Sequence, residues 1–96
     1  MSKVVELTMQ QTVKQMEGNI VSDMNGEKVM LSVKNGKYYN LGALGGEIWD
    51  QIKEPVRIDD LITVLLEKYD VEQAQCKEQT ITFLRQLIEE GLVEAN

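Results

Sequence analysis

The sequence predicts a single α+β domain in which a three-stranded antiparallel meander leads directly into a three-helix bundle. Three observations point there. Two Asn-Gly pairs, Asn25-Gly26 and Asn35-Gly36, separate short hydrophobic runs, and this dipeptide tolerates the positive φ that tight hairpins demand. After Gly42 the apolar residues change from alternation to helical spacing. The one proline, Pro55, falls between two of the helical segments. At 96 residues, with 43% hydrophobic and 27% charged side chains, the chain can bury one small core and is too apolar to remain disordered.

Residues 1–18 read as a polar N-terminal arm with alternating pieces (Val5, Leu7, Met9, then Val13 and Met16) and one strand around Thr12–Met16. The domain proper spans 19–96. Its first strand is Ile20–Met24, its second Lys28–Val33 and its third Lys37–Leu41. Burial chooses the register at the second turn. A two-residue Asn35-Gly36 turn sets Asn40 opposite Leu31 and mixes polar with apolar residues on one face. A three-residue loop, Lys34-Asn35-Gly36 with Gly36 left-handed, pairs Leu31 with Tyr39 and Val29 with Leu41. Val29, Leu31, Val33, Tyr39 and Leu41 then share one apolar face, and Tyr38 points away from it.

The first helix, about 43–53, carries Leu44, Ile48, Trp49 and Ile52 on one face and is stopped by Pro55. The second, about 58–69, carries Leu61, Ile62, Leu65, Leu66 and Tyr69, with Asp59 and Asp60 at the positive end of its dipole. The third, about 72–90, ends at Gly91, a left-handed C-cap, after which Leu92-Val93 returns to the core. Two stripes run along it: Lys77, Ile81, Leu84 and Ile88, beside Cys76, Thr80, Phe83 and Leu87. Together their apolar members exceed the roughly 100° arc one docked face requires. Either the domain wraps this helix from two sides, or part of the second stripe lines a groove beside the third strand.

Chemistry is sparse. There is no histidine, the commonest general base and metal ligand. The single cysteine, Cys76, has no His partner, can form no internal disulfide, and reads as a small buried hydrophobe. Asp59-Asp60 and Glu89-Glu90 read as a helix start and a solvated helix end, and Gly42, Gly45 and Gly46 match no phosphate-binding loop. The expectation is a chain that is not an enzyme, with no cofactor and no metal. No apolar run approaches the roughly 18 residues of a membrane span, and no signal segment follows Met1, so a cytoplasmic protein is expected.

Charge argues against nucleic acid. The net charge is −6, and residues 42–96 hold five basic against twelve acidic side chains. Strands plus three helices have the look of a winged helix-turn-helix, whose last helix enters the major groove. Here the start of that helix, Gln73-Ala74-Gln75-Cys76-Lys77-Glu78-Gln79, offers one cation and few phosphate anchors. A DNA-binding regulator is the alternative reading. A homodimer through the exposed sheet edge is a third.

The motifs Gly36-Lys37-Tyr38-Tyr39-Asn40-Leu41, Gly45, Ile48 and Trp49, Leu61 to Tyr69-Asp70-Val71, and Phe83-Leu84 to Gly91-Leu92-Val93 together resemble the PqqD-like family. These are the RiPP recognition elements, peptide-recognition domains of ribosomal peptide biosynthesis. The resemblance covers about residues 19–95. It is nearest to the stand-alone leader-binding partner of a split lasso-peptide leader peptidase, and less near to the chaperone of the pyrroloquinoline quinone precursor.

The resemblance implies a winged-helix-like fold whose third strand and third helix form a cleft for a precursor's leader. The leader lies there as an added antiparallel strand, presenting a Tyr and a Pro plus an aliphatic residue to hydrophobic pockets. Carried over by position, Lys37, Tyr38, Tyr39, Asn40 and Leu41 supply the pairing strand, and Cys76, Thr80, Phe83 and Leu87 the groove. A separate peptidase and cyclase would perform the chemistry. The acidic helices would favour a leader bearing some Lys or Arg. One departure is Gly42, where many relatives have Asn or Asp.

Overall fold

A computed structural model describes residues 7–96; Val5 of the predicted alternation lies outside them. The order is β1 (Thr12–Gln15), β2 (Asn19–Met24), β3 (Glu27–Ser32), β4 (Lys37–Leu41), α1 (Gly42–Gln51), β5 (Val56–Arg57), α2 (Ile58–Lys68), α3 (Gln73–Glu89) and β6 (Val93–Ala95). The expected α+β class, meander and three helices are all present. Asn25 (φ 56°) and Gly26 (φ 83°) make the first turn with both central residues left-handed, the twist a two-residue hairpin prefers.

A second three-stranded sheet, ordered β5-β1-β6, was not expected from the sequence. The N-terminal arm is its middle strand. Val13 lies between Val56 and Ala95 and is fully buried. Gln15 N–H donates to the Ile52 carbonyl at 2.9 Å, and its side-chain amide donates to the Trp49 carbonyl at 2.6 Å. The described part of the arm thus closes the helices from one side, pairing with β5 and β6 and not with β4. In the meander, ordered β2-β3-β4, β4 has β3 on one edge and no strand on the other among the described residues.

The register of the second hairpin differs from the expected one. Leu31 lies opposite Tyr38, Met30 opposite Tyr39 and Val29 opposite Asn40, so the loop is four residues, 33–36. The inward set is Met30, Ser32, Tyr39 and Leu41, with Met30 and Ser32 fully buried. Val29, Leu31 and Val33 face outward, and Val33 is exposed. Turn chemistry and a close approach outweigh the count of apolar residues. Ser32 Oγ accepts from Asn35 N–H at 3.2 Å, and the Ser32 carbonyl accepts from Gly36 N–H at 2.8 Å. On the same inward face the Lys28 stem lies along Gly46, where an added Cβ would meet it at 3.1 Å. The Lys28 ammonium reaches Asp23 at 3.1 Å and Asp50 at 3.2 Å. Those carboxylates, Asp23 first, hold its pKa above the ordinary lysine value.

The core joins Met30 and Leu41 of the meander to Ile48, Trp49 and Ile52 of the α1 region, Ile58, Leu61, Ile62 and Leu65 of α2, and Leu84 and Leu87 of α3. The end of α3 explains Gly91 (φ 76°). Leu92 N–H donates to the Leu87 carbonyl at 2.8 Å and Gly91 N–H to that of Ile88 at 3.1 Å, the paired bonds of a Schellman ending. The chain then reverses into β6.

Candidate functional site

Between β4 and α3 the surface opens into a cavity of about 580 Å³ lined by Tyr39, Asn40, Leu41, Phe83, Gln86, Leu87, Glu89 and Glu90. Alternate N–H and C=O groups of an edge strand point away from its partner, so β4 presents backbone beside this cavity that is unpaired among the described residues. A second hollow of about 410 Å³ (Gln75, Glu78, Gln79, Thr82, Phe83 and Gln86) continues it along α3.

Three local devices hold the groove open. The first is Gly45, where a Cβ would stand 2.7 Å from Phe83 Cε1 and 2.9 Å from Cζ. Its missing side chain lets the phenyl ring settle against α1. The second is Asn35. Its side-chain amide donates to the Glu90 carbonyl at 3.0 Å and to Tyr39 Oη at 3.3 Å, tying the hairpin loop to the end of α3. The third is the strand-to-helix corner. Leu41 supplies no side-chain cap to α1; instead Asn40 Oδ1 accepts from Gly42 N–H at 3.0 Å, and Gly42 sits at φ 71°. A neighbouring residue does the work that a cap at position 42 would do.

The structure brings together five of the nine expected site residues, Tyr39, Asn40, Leu41, Phe83 and Leu87, in the lining. Lys37 begins the strand, its ammonium 3.9 Å from a Glu90 carboxylate oxygen. Tyr38 lies on the opposite face, 74% exposed. Cys76 and Thr80 are 1% and 0% exposed and do not reach the groove. With Leu84 and Leu87 they form the buried face of α3, so the second stripe is core at its start and groove wall from Phe83 onward. Gln86, Glu89, Glu90, Asn35 and Gly45 were not singled out as site residues. Gln86 and Glu90, at i+3 and i+7 from Phe83, were findable as the same helix face; Asn35 read only as a turn.

Electrostatically the groove is divided. Leu41, Phe83 and Leu87 make one part apolar, whereas Glu89 and Glu90 place two carboxylates at the other end. Among the described residues no cluster of metal-ligating side chains occurs and no helix is long and apolar enough to cross a membrane. The arrangement can hold an extended chain by backbone pairing and side-chain pockets.

Residues 27–93 match the family described as coenzyme PQQ synthesis protein D (PqqD). A solved chain, TbiB1 in complex with the TbiA(beta) leader peptide, is similar with a TM-score of 0.74 and 26% identity, over 84% of this chain and 94% of that one. No curated protein matches.

Proposed function

The chain belongs to the PqqD family, and we propose that it binds the leader segment of a ribosomally made precursor peptide by adding it as a strand to β4. The observation that carries this reading is the unpaired edge of β4 beside an open groove. Main-chain hydrogen bonds to Lys37–Leu41 would supply affinity, and the hollow over Leu41, Phe83 and Leu87 would supply sequence choice. The likeness to a chain solved with a leader peptide supports it. So does the position of β1 in the N-terminal arm, which pairs with β5 and β6, so that among the described residues no strand covers the outer edge of β4. The protein then acts as a binding module in lasso-peptide-type biosynthesis. It presents the leader to a separate peptidase and the core peptide to a cyclase, with no chemistry of its own.

The test is calorimetric titration with the synthetic leader of the precursor encoded beside it, paired with amide hydrogen exchange. Binding slows exchange at Lys37–Leu41, and Phe83→Asp weakens it at least about tenfold, as loss of an apolar anchor should. A leader that binds equally well to both proteins, or leaves the β4 amides unprotected, refutes strand addition.

A further inference from the structure

The groove has a chemical direction, and we infer that it selects an extended peptide with a lysine or arginine about four residues C-terminal to its most deeply seated apolar side chain. This rests on the leader-binding reading and adds to it the chemistry of the guest.

The direction follows from how α3 lies on β4. Phe83 packs on Gly45, just past the end of β4. Seven residues later, the Glu90 carbonyl is held by Asn35 and its carboxylate approaches Lys37, at the start of β4. The two elements therefore run in opposite senses. From Phe83 to Glu90 the helix rises about 10 Å, and from Leu41 to Lys37 the strand covers about 13 Å. The lengths are close enough for a guest strand to keep step with both walls. Every pairing in the meander is antiparallel, and antiparallel addition is the more stable continuation. Such a guest meets Leu41 and Phe83 first and Glu89 and Glu90 about four residues later, with alternate side chains turned toward α3.

The carboxylate end is also locally unfavourable. Glu89 and Glu90 stand at the negative end of a 17-residue helix whose last turn contains no basic residue, the wrong sign for the dipole. Among the described residues the one ion pair that either carboxylate makes is Glu90 with Lys37, at 3.9 Å; Arg85, one turn before Glu89 on α3, pairs with neither. A guest ammonium or guanidinium placed there relieves both the carboxylate repulsion and the dipole, while an acidic guest residue is rejected. Departures from local sequence rules concentrate at functional sites, and this one lines the groove.

A display library of random 12-residue peptides, selected on the full chain and on its Glu89→Gln/Glu90→Gln variant, tests the inference. Fluorescence anisotropy with the best selected peptide, with and without its cation, then measures the effect. Lys or Arg is expected to be enriched at one position among wild-type winners and not among those of the variant. Replacing that cation by Gln should weaken wild-type binding about three- to tenfold at low salt, less at 0.5 M salt, and leave binding to the variant unchanged. The variant should melt at or above the wild-type temperature, so loss of fold does not confuse the result. Peptides that need Phe83 but show no cation preference, or keep it in the variant, overturn this inference and spare leader binding. Peptides indifferent to Phe83→Asp, or no binders at all, remove leader binding itself and the inference with it.

Discussion

Replacing Gly45 by alanine tests the construction of the groove without touching a residue that lines it. The new methyl would lie 2.7 Å from Phe83 Cε1 and 2.9 Å from Cζ, closer than carbon atoms tolerate, so one of the two must move. Backbone is not among the nearest contacts; the nearest are the far edge of a phenyl ring, and that ring's open side is the groove. The ring should swing outward into the space a guest needs. Two stability effects then oppose each other. Overpacking costs about 1–3 kcal/mol, and exchanging Gly for Ala within a helix returns about 1 kcal/mol. The net is a loss of at most about 2 kcal/mol, or a fall in Tm below roughly 16 °C for a domain this size. Leader binding should fall by tenfold or more in protein that is still folded, because the displaced ring blocks the apolar hollow. Circular dichroism melting and a fluorescence anisotropy titration at 15 °C read the two separately. Combining Gly45→Ala with Phe83→Leu, which shortens the obstructing side chain, should recover most of the affinity. If Gly45→Ala binds leader as the wild type does, the ring is not wedged against α1 and the groove wall is wrongly assigned.

Thr80→Val should raise Tm by about 4–8 °C, the equivalent of roughly 1 kcal/mol, because Thr80 Oγ1 is buried with no hydrogen-bond partner among the described residues. The same change should leave leader affinity unaltered, which a groove-facing residue could not do. Glu47 gives an acid-limb prediction. Its carboxylate accepts from the Gln51 side-chain amide at 2.7 Å and pairs with Lys68 at 3.1 Å. These partners, Gln51 first, hold its pKa below the ordinary glutamate value. A carboxylate with a lowered folded-state pKa stabilises the fold above its unfolded pKa and loses that contribution as pH falls through the folded value. Glu47→Gln should therefore lower stability at pH 7 and flatten its decline below about pH 4.5, measured by melting across pH 3 to 7; an acid limb identical to the wild type's would rule the pair out.

Much of this fold can be read from particular residues before any coordinates. Asn25-Gly26 sets the first hairpin, Pro55 separates two helices, and Gly91 ends the third. The third strand lies at Lys37–Leu41 as expected. Of the β5-β1-β6 sheet only β1, the strand expected around Thr12–Met16, could be read; its partners β5 and β6 are two and three residues long. Elements that short have no measurable alternation, and tertiary bonds such as Gln15 N–H to the Ile52 carbonyl define them. The meander's register misled for another reason. Counting apolar residues places Val29, Leu31 and Val33 inside, yet the buried positions belong to Met30 and to Ser32, whose hydroxyl serves the turn. The outward residues instead make a cross-strand row, Ile20-Leu31-Tyr38. In the site, Phe83 and Leu87 were legible from helical spacing. Cys76 and Thr80 were not separable from them, because all four fall on one stripe and only the neighbours of each half decide which is covered.

The residues that shape the groove are largely not the ones a guest would touch. Gly45 seats the phenyl ring by having no side chain, Asn35 fixes the hairpin to α3 through a backbone carbonyl, and Gly91 turns the chain so that Leu92 is buried and β6 can form. None bears chemistry that a search for nucleophiles, ligands or charge pairs would notice. Gly45 and Asn35 set how α3 sits beside β4 in the unbound chain, so the ordering cost of association falls mainly on the guest. A groove built this way gains affinity by preorganisation, and its width should be sensitive to small changes at buried glycines while tolerating many at its polar rim. That asymmetry is what separates a binding cleft from a chance hollow, in which rim and buried positions would matter alike.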